Sequence, residues 1–124
     1  MKMLLNLSNH TIKRWDKKQL LEAEYLFGKV VDLPFPAINP LASEAEIEEL
    51  SLQYLNVCTE KLFSSQEKNN GVHIMGELTF VFSLVKKLLE KDIICIASTT
   101  ERNVKFKNNI KTAEFNFVKF RKYL

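Results

Sequence analysis

One stretch, residues 71–102, constrains the fold more than any other part of the chain. It contains a short apolar run at 72–75, a helical run at 78–91 and a second apolar run at 93–97. Two buried strands with a helix between them are typical of parallel sheets, because parallel neighbours need a long crossover connection. The stretch therefore predicts a strand–helix–strand unit within an α/β protein.

The segments before this stretch continue the alternation of strands and helices. Apolar runs predict strands at 3–7 and 29–33, and helical spacing predicts helices at 16–27 and 43–62. Asp16 with Gln19, and Ser43 with Glu46, have the spacing of capping boxes, and Gly28 suits the end of the first helix. The prolines in 34–40 predict a stiff surface loop, and 64–70 reads as a polar loop.

The pattern changes to alternation after residue 102. Val104 and Phe106 flank charged residues, 107–109 gives a turn signal, and 112–124 is a strand rich in Phe and Tyr. The alternation shifts between Phe117 and Val118, which predicts a bulge or burial on both faces. The whole chain, 1–124, is therefore expected to form one Rossmann-like three-layer α/β domain, with a mostly parallel sheet and a C-terminal antiparallel hairpin.

The helix at 78–91 is apolar around more of its circumference than one sheet face requires. Phe80 and Leu84 lie at the edge of this apolar arc, so both are expected to meet a second surface. A neighbouring helix and a second copy of the chain explain the arc about equally well.

Charge and cysteine content exclude several classes of protein. The net charge of +3 permits an anionic ligand, whereas proteins that bind a DNA duplex usually carry a denser basic stripe. Cys58 and Cys95 lie far apart in apolar segments, and neither they nor the two histidines have metal-ligand spacing. We see neither a signal peptide nor a run of membrane-spanning length, so we expect a cytoplasmic protein with no membrane partner, metal or cofactor.

Polar residues follow the predicted strands at the carboxyl edge of the sheet, where α/β proteins bind ligands. The helix that begins after Gly76 offers free N–H groups to an anion, Arg102 can form paired hydrogen bonds with a phosphate, and His10 can act as an acid or base. The candidate site residues are Ser8, Asn9, His10, Gly76, Glu77, Thr79, Ser98, Thr99, Thr100 and Arg102.

Several of these residues also have a structural explanation. Glu77 suits the first turn of a helix as a partner for the helix dipole, and Arg102 can pair with Glu101 or Glu114. His10 can bond a backbone carbonyl, and His73, inside an apolar strand, is interpreted as structural. The order of residues shows no Ser/His/Asp motif, so on their own they do not favour a hydrolase.

Segments spread over nearly the whole chain resemble small CRISPR-associated proteins of type III systems, which are related to CARF (CRISPR-associated Rossmann fold) domains. These segments are 5–10 with Trp15, 32–36, 76–80, 98–102 and 117–123. The resemblance implies a homodimer that binds cyclic oligoadenylate across its two-fold axis in antiviral defence, and we expect cyclic tetra-adenylate as the ligand. It also implies a ring nuclease, in which a ribose 2′-hydroxyl attacks the adjacent phosphate without a metal and leaves a 2′,3′-cyclic phosphate.

On this expectation the candidate residues divide into three roles. Arg102 and the helix terminus at Gly76 hold phosphate, the hydroxyl and amide side chains position ribose and base, and His10 or Glu77 transfers protons. A sensor that binds the ring without cleaving it, and a structural subunit that binds a protein through its Phe-rich surface, are the alternatives.

Overall fold

The computed structural model describes residues 3–63 and 70–124 and shows a five-stranded sheet flanked by helices. The strands are β1 (Met3–Ser8), β2 (Lys29–Asp32), β3 (Gly71–Met75), β4 (Ile94–Lys107) and β5 (Ile110–Lys122). The helices are α1 (Lys17–Phe27), α2 (Glu44–Phe63) and α3 (Leu78–Glu90), with a short 3₁₀ turn at Ile12–Arg14. Most of the polar loop predicted at 64–70 lies outside the described residues.

The strands are arranged in the order β2-β1-β3-β4-β5. β1 pairs in parallel with β2 and β3, β3 pairs in parallel with β4, and β5 runs antiparallel to β4. One face of the sheet packs against α1, and the other packs against α2 and α3. The predicted Rossmann-like, mostly parallel α/β fold with a C-terminal antiparallel pair is confirmed.

The central strand β1 contributes to a separate core on each face. Leu5 and Leu7 pack with α2 and α3 in the larger core, whereas Leu4 packs with Ala23 and Phe27 of α1 in the smaller one. Successive side chains of a strand point to opposite faces, so a strand covered on both sides is apolar almost throughout. The exceptions, Asn6 and Ser8, share the α1 face with Leu4 and form part of the candidate site.

Most of the apolar arc of α3 packs inside the chain. Phe80 and Leu84 are fully buried, and the Phe80 ring meets Phe35 of the proline loop and Tyr54 of α2 edge-on, with ring centres 5.4 and 5.5 Å apart. The neighbouring-helix explanation is therefore correct, and Phe80 and Leu84 are not available as contacts between two copies. Leu78 and Phe82 of α3 are exposed instead.

Two helix ends follow the sequence signals and one differs. Gly28 ends α1 with a φ of 82°, and Ser43 accepts a 3.2 Å hydrogen bond from the Glu46 N–H at the start of α2. Asp16 is the N-cap residue of α1, but it makes no side-chain capping bond, so the predicted capping box with Gln19 is wrong. Both side chains reach across to the C-terminal strands instead, where their partners are Phe117 and Ser98.

The predicted strand end at residue 97 is wrong, whereas the alternative that Thr99 and Thr100 already belong to the hairpin is correct. β4 continues to Lys107, and residues 98–107 pair with β5 along its length. Backbone pairing with a partner strand satisfies the N–H and C=O groups of polar residues as well as those of apolar ones, so polar composition alone does not end a strand. Residues 98–102 are thus part of a two-stranded ribbon that extends past the rest of the sheet.

The ribbon has the turn and the bulge that its sequence predicts. Asn108 and Asn109 have φ values of 52° and 65°, as a two-residue type I′ hairpin turn requires. Thr99 pairs with Lys119 while Thr100 pairs with Phe117, so Val118 is an extra residue in β5. The predicted bulge is confirmed at this position.

Candidate functional site

The strand order creates a crevice between β1 and β3 at the carboxyl edge of the sheet. The chain leaves β1 toward α1 on one face and leaves β3 toward α3 on the other, and ligands of open α/β sheets bind at such a reversal. A cavity of about 550 Å³ opens there on the α1 face. It is lined from the strand ends by Ser8, Asn9, His10, His73, Met75 and Gly76, from the α1 side by Arg14, Trp15, Asp16 and Gln19, and from the ribbon by Ser98, Thr100, Phe115 and Phe117.

Three polar side chains on neighbouring strands are joined in a line at the base of this cavity. Asn6 of β1 and His73 of β3 are partners in the parallel ladder, and the Asn6 Oδ1 lies 2.9 Å from the His73 Nδ1. The His73 Nε2 lies 2.7 Å from the Ser98 Oγ of β4. The order of groups, an amide oxygen, an imidazole and a hydroxyl, is the order found in hydrolytic triads with Asn in place of Asp.

The hydrogen bonds around Asn6 determine which nitrogen of His73 carries the proton. The Asn6 Nδ2 lies 2.8 Å from the His10 carbonyl oxygen and 2.9 Å from the Asp32 Oδ1, and both oxygens are acceptors. The amide nitrogen must therefore face them, and its oxygen must face His73. It follows that the His73 Nδ1 donates to Asn6 and that the Nε2 accepts the Ser98 hydroxyl proton.

Burial keeps His73 in the neutral form. Its side chain is 2% exposed, and burial lowers its pKa from 6.5 to about 4, because a charged imidazolium loses hydration inside the protein. The rings of Trp15 and Phe120 meet it edge-on, with ring centres 5.0 and 5.7 Å away. At neutral pH the Nε2 lone pair is therefore available to Ser98.

The Ser98 hydroxyl has one more protein partner. The Gln19 Nε2 donates a 2.9 Å hydrogen bond to the Ser98 Oγ, which explains why Gln19 does not complete the capping box of α1. Nearby, the Trp15 Nε1 donates to the His10 carbonyl oxygen at 3.1 Å and holds the loop after β1 against the site. Ser98 itself is half-buried at the cavity wall.

Six of the ten predicted site residues lie together in this cavity. They are Ser8, Asn9, His10, Gly76, Ser98 and Thr100. The structure places Gly76 against the ring of Phe35, which occupies the position that a side chain on Gly76 would need. The space beside this glycine is filled on that side by the protein, whereas we had expected a ligand to approach there.

Glu77 and Thr79 lie on the other side of the edge. The Glu77 carboxylate caps α3 by accepting hydrogen bonds from the Thr79 and Phe80 N–H groups and from the Thr79 hydroxyl, and these bonds, that from the hydroxyl first, lower its pKa. The N–H groups that we expected to be free for an anion are therefore occupied. Both residues border a second cavity, between the start of α2 and α3.

Thr99 and Arg102 of β4 lie outside the cavity for different reasons, because Thr99 faces the other side of the strand and Arg102 lies further along the ribbon. Thr99 points to the opposite face from Ser98 and Thr100, and its hydroxyl lies 3.0 Å from the Lys119 carbonyl oxygen. Arg102 is exposed on the ribbon opposite Phe115 and is not part of the cavity lining. The basic side chain that does line the cavity is Arg14.

The sequence interpretation missed Asn6 and His73 as site residues. Both are polar residues in otherwise apolar strands, and the ladder makes them direct neighbours. A polar residue at the same-facing position of adjacent buried strands is the signal that would have found them.

Within residues 3–63 and 70–124, no group of three or more His, Cys, Asp or Glu side chains is arranged to hold a metal ion. In the same ranges no helix has both the length and the apolar character required to cross a membrane.

No curated protein and no solved structure gives a significant match to the chain. A family model matches residues 2–121, nearly the full length of the sequence. The chain therefore belongs to the uncharacterized protein MJ1673 family.

Proposed function

We propose that the protein binds a cyclic oligoadenylate at the carboxyl-edge cavity and cleaves it without a metal, as a cytoplasmic ring nuclease of type III CRISPR defence. The observation that carries the proposal is the composition of the cavity wall. Aromatic rings, hydroxyl groups and a guanidinium converge at the crevice where the strand order reverses. These groups suit, respectively, the base, the ribose and the phosphate of a nucleotide.

Each part of a nucleotide has a candidate contact. Phe115 is 62% exposed at the cavity wall and offers a face on which an adenine can stack. Arg14 supplies the charge for a phosphate, and Ser8, Asn9 and Thr100 supply hydrogen bonds for the sugar. Arg102 lies on the ribbon outside the cavity lining. Its contact with a phosphate therefore remains a prediction from the sequence.

The size of the cavity favours a dimer as the working form. A volume of about 550 Å³ is in the range of sites for one small molecule, which is less than a ring of four nucleotides requires. Two copies related by a two-fold axis would present two such cavities to a two-fold symmetric ring. Leu78 and Phe82, exposed on α3 at 82% and 72%, replace Phe80 and Leu84 as candidate contacts between the copies.

The reaction that fits this wall is an internal transesterification. The ribose 2′-oxygen attacks the adjacent phosphorus, the bond to the 5′-oxygen breaks, and the products are a 2′,3′-cyclic phosphate and a 5′-hydroxyl. The protein has to orient the ribose and stabilise charge on the phosphorus, which positioned hydrogen-bond donors and Arg14 can do. We assign to His10, which also lines the cavity, the protonation of the departing 5′-oxygen.

The test is incubation of the purified protein with labelled cyclic tri-, tetra- and hexa-adenylate in EDTA, followed by chromatography and by light scattering. We expect a dimer that converts one of the rings to linear products ending in 2′,3′-cyclic phosphate. Binding without products would favour the sensor alternative, and failure to bind any of the rings would refute the proposal. Arg14→Gln and Arg102→Gln form a matched pair, of which the first should weaken binding more.

A further inference from the structure

We propose that Asp32, Asn6, His73 and Ser98 form a proton relay in which Ser98 is the group that meets the ligand. The Ser98 hydroxyl takes the proton of a ribose 2′-hydroxyl while its own proton moves to the His73 Nε2. The proposal rests on the proposed function for the identity of the ligand. It assigns a base to a reaction for which the sequence suggested only His10 or Glu77.

The hydrogen-bond capacity of the Ser98 oxygen leaves one position for a ligand. Its proton goes to the His73 Nε2 at 2.7 Å, and one of its two lone pairs accepts the Gln19 amide at 2.9 Å. The second lone pair has no protein donor among these contacts, and Ser98 lines the cavity. Ser98 is therefore held as an acceptor toward a ligand O–H group.

His73 acts only through Ser98. Both of its ring nitrogens already bond to protein atoms, the Nδ1 to Asn6 and the Nε2 to Ser98, so neither can reach a ligand. The role of Asn6 is to fix the tautomer in which the Nε2 is an acceptor. His73 and Asn6 are thus positioning residues, and Ser98 is the catalytic residue.

The Asp32 carboxylate is hydrogen-bonded to the side-chain amide of Asn6. The Asp32 Oδ1 accepts from the Asn6 Nδ2 at 2.9 Å, so its negative charge polarises the amide, whose oxygen faces the His73 Nδ1–H. This arrangement favours positive charge on the imidazole when it takes up a proton. Because an amide separates the carboxylate from the imidazole, the effect is weaker than in a Ser-His-Asp triad.

The step balances without an added reagent. The 2′-O–H bond breaks as a new bond forms between the 2′-oxygen and phosphorus, and the bond from phosphorus to the leaving oxygen breaks. One proton moves from the 2′-oxygen to Ser98 and another moves from Ser98 to His73. The leaving oxygen takes a proton from water or His10, and His73 returns its proton to solvent through Ser98.

The experiment uses adenosine 3′-(4-nitrophenyl phosphate), which carries a 2′-hydroxyl, contains a single nucleoside and has a leaving group that needs no proton. Ser98→Ala should release nitrophenolate about 100-fold or more slowly than the parent with nearly unchanged KM, as the loss of a general base implies. Ser83→Ala is the matched control, because Ser83 is a half-buried, hydrogen-bonded serine on the opposite face of the sheet. Its rate should equal that of the parent.

A pH profile separates the relay from a structural role for His73. The charged or titratable groups around it are His10, Arg14 and Asp16 in the cavity wall and Asp32 behind Asn6. The parent rate should stay within about twofold between pH 8 and pH 5.5, since the buried base is still neutral there. A base with the ordinary histidine pKa of about 6.5 would lose roughly tenfold over this range.

Each outcome decides between the proposals. Equal rates for Ser98→Ala and the parent, or no nitrophenolate release by the parent, would overturn the relay. So would nitrogen NMR of the free protein showing that the His73 Nε2, rather than the Nδ1, carries the proton. Release from the nucleotide that depends on Ser98, with no cleavage of any cyclic oligoadenylate, would support the relay and refute the proposed function.

Discussion

The buried imidazole of His73 makes stability depend on pH in a defined window. Its pKa is about 4 in the folded protein, because of burial, and 6.5 is the ordinary value. Between these two values the unfolded chain holds a proton that the folded chain does not. The free energy of unfolding therefore falls as the pH is lowered through 6.5 toward 4, and it gains nothing from this group above the window.

The magnitude follows from the two pKa values. A difference from 6.5 to about 4 corresponds to about 3 kcal/mol of unfolding free energy by pH 4, since each tenfold change in affinity for a proton is about 1.4 kcal/mol. Most folded domains have only about 5–15 kcal/mol of unfolding free energy in total, so a loss of this size is readily measured.

The assay is urea unfolding of the parent and of His73→Gln at several pH values. Comparing the two proteins cancels the contribution of the carboxylates, which titrate in both. We expect the parent to lose about 3 kcal/mol more than the variant between pH 7 and pH 4. His10→Gln, which changes the exposed histidine, should keep the parent slope. If the parent and His73→Gln show the same slope, the inference that His73 is buried and neutral is wrong.

Three further predictions concern other parts of the chain. Gly76→Ala should lower the unfolding free energy by about 1–3 kcal/mol, because the new methyl group overlaps the ring of Phe35; an equal loss in a Phe35→Leu background would contradict this reason. Burial raises the pKa of Cys58 and Cys95 to about 12, so neither thiol should react with iodoacetamide at about pH 8 until the protein is unfolded, as mass spectrometry will show. Asn109→Ala should cost about 1 kcal/mol and Asn109→Gly almost nothing, since residue 109 has a φ of 65°; equal melting temperatures for the two variants would argue against the turn.

The sequence predicts most of the fold because its strongest signals are local. Apolar runs and helical spacing place the elements, and Gly28 and Ser43 mark two of the helix ends. The end of β4 differs from the prediction because residues 98–102 form no apolar run, although they pair with β5 in the hairpin. Asp16 differs because of a long-range contact, since its carboxylate accepts a 2.8 Å hydrogen bond from the Phe117 N–H rather than capping its own helix.

The site was predicted only in part, and the limit is again long-range contact. The carboxyl-edge rule places Ser8, His10 and Ser98 in one cavity, because it needs only the direction of each strand. It does not reveal that Asn6 and His73 are neighbours, since that depends on the register of two strands separated by more than sixty residues of sequence. A histidine inside an apolar strand is structural in most proteins, and only its partners distinguish this one.

The bulge in β5 determines which face of the ribbon the side chains of the preceding residues point to. Phe117 and Phe120 are three residues apart and would face opposite sides of a regular strand, yet both face α1, with ring centres 4.8 Å apart. Substituting Val118 with another residue keeps the count and so keeps this arrangement. Deleting it would remove the bulge and leave Phe117 and Phe120 two positions apart in a regular strand, so both side chains would still face α1. A register shift that paired Val118 with β4 would instead turn Phe117, with the ribbon residues before it, to the outer face. The aromatic wall of the cavity therefore tolerates a change of residue at position 118, and even its removal, but not a regular pairing of that residue.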